Sequence, residues 1–150
     1  MKFSAQEEID LPAAEVFSRL SDADRFEDRV REKGGKIVRS PEQGFGVGTT
    51  WDALVSIRGK KRKLTMKMVE MTPNESMVFT GGTSGMDLSV VFDTTALTPQ
   101  RTRMKLQVDA KPKTLAARLL IQSAKLAKGR IDKRFKSRFS EFAQAMTGQS

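Results

Sequence analysis

Apolar and polar residues alternate from Lys2 to Asp10, with Phe3, Ala5 and Ile9 on one face and Lys2, Ser4, Gln6, Glu8 and Asp10 on the other. A period of two with one wet face predicts a strand. Pro12 cannot continue a ladder but suits the start of a helix, and Val16, Phe17 and Leu20 follow at helical spacing. Ser21-Asp22 breaks that run. Asp22 is placed to cap a second short helix to about Lys33, with Phe26 and Val30 turned inward, and Gly34-Gly35 ends it.

From Lys36 to Ala110 the signal is strands. Lys36–Ser40 is short, and a glycine-rich turn, Gly44-Phe45-Gly46-Val47-Gly48, follows it. Thr49 to Arg58 places Trp51, Ala53, Val55 and Ile57 on one face; after a turn at Gly59-Lys60, Leu64, Met66 and Met68 resume the period. Pro73-Asn74-Glu75 turns the chain into Met77–Thr80, and Gly81–Gly85 turns it again. Met86, Leu88, Val90, Phe92 and Thr94 then alternate with polar neighbours, as do Met104, Leu106, Val108 and Ala110 after Thr98-Pro99-Gln100. Strands joined by short turns predict an antiparallel meander, because parallel crossovers need a dozen or more residues.

Pro112 opens the longest helical pattern. Leu115, Leu119, Leu126, Ile131, Phe135, Phe139, Phe142 and Met146 are expected on its inner face, with a bend near Gly129. One strand, two short helices, six strands and a long terminal helix compose a single α+β domain over residues 1–150. A twisted antiparallel sheet has one apolar concave face, and the terminal helix is the element able to cover it. Two short helices cannot fill the rest of the opening, so a ligand cavity is expected between sheet and helix.

Composition narrows the chemistry. There is no Cys, no His and no Tyr. Disulfides, thiolate metal sites and Ser-His-Asp catalysis are therefore excluded, and Ser84 and Ser123 have no histidine to activate them. No metal-ligand spacing is present, and no cofactor is expected. Asp52, Asp87, Asp93 and Asp109 fall on the outward parity of their strands, which argues against paired carboxylates converging in one pocket. The acidic start of the chain and the absence of a long apolar run point to a cytoplasmic protein. Gly44–Gly48 lacks the strand-before, helix-after context of a dinucleotide site and reads as a turn at the cavity mouth.

The net charge is +9, and residues 111–150 hold ten basic side chains against Asp132 and Glu141. Lys125, Lys128, Lys133 and Arg134 are candidate contacts for an acidic membrane or protein surface; the alternative is a solvated helix face. Phe135 and Phe139 are spaced as core anchors, not as a stacking platform, which argues against nucleic acid.

Three segments carry a resemblance. Ile9-Asp10-Leu11-Pro12-Ala13-Ala14-Glu15-Val16-Phe17, with Leu20-Ser21-Asp22, resembles the strand-to-helix signature apolar-x-x-Pro-x-x-x-Val-Phe of the START/Bet v-type (SRPBCC) superfamily, which includes polyketide cyclase-like proteins. Gly46-Val47-Gly48-Thr49-Thr50-Trp51 is similar to its glycine-rich turn before the third strand, and Val69–Phe79 to its turn between the fourth and fifth strands. The resemblance implies a helix-grip fold of about seven strands with a cavity for a hydrophobic molecule. Members bind sterols, phospholipids, polyketides or plant hormones, and some are enzymes or chaperone activators.

The expected cavity residues are Trp51, Val55, Met66, Met68, Phe79, Leu88, Val90, Phe92, Met104, Leu106, Leu119 and Ser123. Trp51 can stack on a ligand or seal the core, and the methionines can adapt to a ligand or fill space. Three functions stay open: binding or transport of a small hydrophobic molecule or lipid, a cyclase- or dehydratase-type enzyme, and an interaction module acting through the basic terminal helix. The missing His and Tyr weigh against the enzyme, and no catalytic residue stands out. Oligomeric state is not encoded in any of these patterns.

Overall fold

The computed structural model describes residues 1–57 and 59–147. In chain order the elements are β1 (Lys2–Ile9), α1 (Ala13–Leu20), α2 (Ala23–Glu32), β2 (Lys36–Ser40), β3 (Thr50–Ile57), β4 (Lys60–Thr72), β5 (Ser76–Gly82), β6 (Met86–Thr98), β7 (Arg101–Pro112), α3 (Leu115–Leu126) and α4 (Lys128–Thr147). The strands form one antiparallel sheet in the order β1-β7-β6-β5-β4-β3-β2, so β2 to β7 run as the expected meander and β1 closes it beside β7. Arg58, expected at the end of a strand, lies outside the described residues.

Two apolar clusters hold the helices to the concave face. Ala5, Ile9, Val16 and Met104 pack with Phe139, Ala143 and Met146 of α4. Phe17 and Ala23, from α1 and α2, pack with Ile37, Trp51, Met68 and Met77. Leu20 and Phe92 touch both clusters. Met68, Met77 and Met104 are at most 1% exposed, and burying each contributes roughly 1.5–3 kcal/mol. At the end of the sheet farthest from α1 and α2 lie the β3–β4 turn, the β5–β6 turn and the junction into α3. The Lys113 N–H donates there to the Gly85 carbonyl at 2.8 Å.

Several expectations are corrected. Asp22 caps α2 by accepting from the Arg25 N–H, but Phe26 is 58% exposed and Glu27 takes the inner position at 4%. Pro112 ends β7 instead of starting a helix. The helix begins at Leu115, capped by the Thr114 hydroxyl accepting from the Ala117 N–H at 3.1 Å. The terminal helix is two helices, broken at Ala127, with Gly129 inside the first turn of α4. On α3 the inner face is Ala117 and Ile121 with half-buried Leu120 and Ala124, while Leu115, Leu119 and Leu126 face solvent. The cause is close approach: a Cβ on Gly85 would lie 3.5 Å from the Ala117 Cβ, so small side chains must face the sheet end.

Candidate functional site

Register assigns the concave face residue by residue. One row runs Trp51, Met66, Gly81, Leu88 and Ala110 across β3 to β7. The next runs Met68, Phe79, Val90 and Val108, ending on Phe3 of β1. A third runs Met71, Met77, Phe92, Leu106 and Ala5. Val69 is bulged out between Met68 and Glu70, which keeps Met71 on the inner side.

Burial along these rows is uneven. Trp51, Met68, Met77 and Met104 are sealed, whereas Val55, Met66, Phe79, Leu88, Val90, Phe92 and Leu106 are half-buried. The half-buried residues occupy the middle of the sheet and the end away from α1 and α2. α4 lies along β1, α3 approaches β7 and α1 crosses β6 and β7. The middle of the concave face is thus less buried than the two clusters beside it.

No family model matches the chain, and no curated protein matches its sequence. Solved structures do. The protein TTHA0849 from Thermus thermophilus superposes with a TM-score of 0.72 at 14% identity, covering 100% of this chain and 99% of that one. Norcoclaurine synthase from Thalictrum flavum gives 0.68 at 13%, covering 98% and 84%. A START superfamily protein from Mycobacterium smegmatis gives 0.55 at 16%, covering 88% and 97%. The chain has the helix-grip fold.

Within this helix-grip frame, Trp51 is fixed from several sides. Its indole N–H donates to the Glu27 Oε2 at 3.1 Å, and its ring meets Phe45 and Phe79 edge-on at 6.1 and 5.7 Å. The Arg39 Nε lies 3.1 Å from the same carboxylate oxygen, and the Arg39 fork also reaches Asp24 at 2.5 Å. Trp51 therefore seals the α1–α2 end, with Phe79 carrying its contact toward the middle of the sheet. Gly44–Gly48 lies at this sealed end, with Phe45 on Trp51.

Two of the sequence-predicted residues do not face the sheet. Leu119 is 58% exposed and Ser123 is exposed, both on the outer side of α3. One residue that apolar periodicity passed over lies on the concave face. Arg62 pairs with Val55 across β3 and β4 and shares the inward parity of Leu64, Met66 and Met68. It is half-buried, whereas its neighbours Lys61 and Lys63 are exposed on the other face.

Two surface hollows of about 480 and 310 Å³ lie elsewhere. The first is lined by polar residues including Asp93, Arg103 and Lys105, and the second by Glu27, Ile37 and Arg39 among others. None of the expected cavity residues lines either.

Of the candidate surface cations, Lys125, Lys133 and Arg134 are exposed. Lys128 is committed internally: its Nζ donates to Asp132 at 3.0 Å and to the Lys2 carbonyl at 3.2 Å, and sits 5.0 Å from the Phe3 ring centre. No helix of the described residues is long and apolar enough to cross a membrane.

Proposed function

We propose that this protein binds a small hydrophobic molecule or lipid in the trough between the concave sheet face and the C-terminal helices. The observation that carries this reading is the half-burial of Phe79, Val90, Phe92 and Leu106 at the centre of the sheet, between two sealed clusters. In a close-packed interior those positions would be the most buried. About 300 Å² of apolar ligand surface laid against them contributes ~7 kcal/mol before binding costs. The norcoclaurine synthase that shares the fold holds dopamine and hydroxybenzaldehyde in its structure, which supports a ligand-binding use of the fold. A cyclase-type reaction finds less support. Glu27, the most buried carboxylate of the described residues, is occupied by Trp51 and Arg39.

The test is titration with Nile red, a neutral apolar probe, followed by probe emission and by Trp51 quenching. Saturable binding is expected, and Val90→Phe, which fills the trough without adding charge, should weaken it at least ~10-fold. Absence of saturable binding, or full binding by a folded Val90→Phe protein, overturns the reading.

A second reading rests on a separate observation. Leu115, Leu119 and Leu126 are 72%, 58% and 92% exposed and fall within about 40° of one another at ~100° per residue. Arg118 and Lys125 flank them on the same helix and are exposed. An apolar stripe edged by cations fits the interface of an acidic bilayer. Sedimentation with vesicles containing 30% phosphatidylserine (about a third of the lipid, to give a strongly anionic surface) should capture the protein, and Leu119→Gln with Leu126→Gln should release it. Equal sedimentation with neutral vesicles removes this reading.

A further inference from the structure

Arg62 is an unexplained cation on the concave face. Its strand alternates cleanly, with exposed Lys61, Lys63 and Lys67 outward and half-buried Arg62, Leu64 and Met66 inward. Cross-strand pairing sets it opposite Val55, two rungs beyond the row of Trp51 and Met66. That is about 13 Å from Met66 along the strand, at ~3.3 Å per residue. Arg62 therefore lies on the concave side of the sheet, toward the end away from α1 and α2.

One of its donors is buried and unspent. The Arg62 Nε is shut off from solvent with no hydrogen-bond partner among the described residues. The Nε groups of Arg39 and Arg103 share that condition, but each of those arginines has a carboxylate: Glu27 and Asp24 for Arg39, Glu8 for Arg103. No ion pair to Arg62 is found among the described residues. A shielded, unpaired guanidinium N–H costs free energy that a bound anion would recover.

The surroundings carry the same sign. Lys60, Lys61 and Lys63 stand on the β3–β4 arm, and Lys111, Lys113, Arg118 and Lys125 follow at the end of β7 and on α3. Asp87 is held by Lys113 at 3.3 Å, and Asp109 lies 3.7 Å from the N-terminal ammonium. An excess of positive charge at the opening draws anions toward it.

We infer that the trough selects an anionic amphiphile, with its carboxylate or phosphate head group held by the Arg62 guanidinium and its apolar body laid along Leu64, Met66, Leu88 and Val90. This rests on the trough being a ligand site and adds the chemical class of the ligand. Arginine suits the task because its planar fork matches both oxyanions and stays charged throughout the physiological range.

The experiment compares palmitate, hexadecyl phosphate and 1-hexadecanol, each as a competitor of Nile red below its micellar concentration. The protein is taken as wild type, Arg62→Met, which keeps the apolar stem, and Lys63→Met, which removes a charge from the opposite face of the same strand. Wild type and Lys63→Met should prefer at least one anion over the alcohol by ~10-fold or more. Arg62→Met should erase that preference and leave hexadecanol binding within ~2-fold. The stronger anion in the wild type identifies the head group as carboxylate or phosphate. An alcohol bound as well as both anions, or a preference surviving in Arg62→Met, overturns the assignment to Arg62 while the trough stands. Failure of all three to compete, with Nile red itself unbound, overturns both.

Discussion

The Trp51 indole N–H and the Glu27 carboxylate meet at 3.1 Å in the interior, joining β3 to α2. Glu27 is 4% exposed and Trp51 7%, so the pair is worth keeping only because Arg39 balances the charge from β2. Glu27→Ala leaves both partners facing a gap. A loss of about 2–4 kcal/mol is expected in urea unfolding followed by Trp51 fluorescence, with Glu27→Gln intermediate. A loss under ~1 kcal/mol for the alanine variant contradicts the network as described.

Met66 and Met68 point the same way two residues apart, yet Met68 is fully buried and Met66 is not. Met68→Ala should cost about 3 kcal/mol in thermal or urea unfolding, as for other large-to-small changes in a packed core. Met66→Ala should cost about 1 kcal/mol or less and still weaken Nile red binding. Equal stability losses would mean that the concave face is packed shut at Met66, against the proposed binding site.

Gly81 leaves no room for a side chain against β4: a Cβ there would lie 1.9 Å from the Thr65 carbonyl oxygen. Gly81→Ala must therefore move backbone, at a cost of about 2–3 kcal/mol. Gly46→Ala meets nothing within 4 Å and should be near neutral. Melting temperatures of the two variants check the contrast.

The start of α3 depends on Thr114. Thr114→Ala removes the cap on the Ala117 N–H and should cost about 1 kcal/mol. Leu126→Gln should stay within ~0.5 kcal/mol of wild type, because that leucine is 92% exposed. A large loss at Leu126 would show that its side chain is packed in solution.

The sheet was legible because alternation with a period of two assigns each side chain to a face without knowledge of its partner. Trp51, Met68, Phe79, Phe92 and Met104 therefore sit on the face that the pattern gave them. The helices were less legible, since hydrophobicity ranks Leu119 above Ala117 while packing geometry ranks them the other way. The close approach of Gly85 decides it, and that contact is non-local. Glu27 was missed for a similar reason. A carboxylate reads as outward until a strand elsewhere supplies Arg39 and Trp51. Arg62 was visible in the register of β4, but a search for apolar positions steps over a cation.

The β3–β4 arm extends past the end of β5, whose pairing with β4 starts at Thr65 and Gly82. From Lys60 to Leu64, β4 thus offers a bare backbone edge, the kind of surface on which a stray chain could add as a further strand. Four of those five residues are cationic. A second copy of the arm laid alongside would meet like charge along its length, so the overhang guards the protein against zipping onto itself.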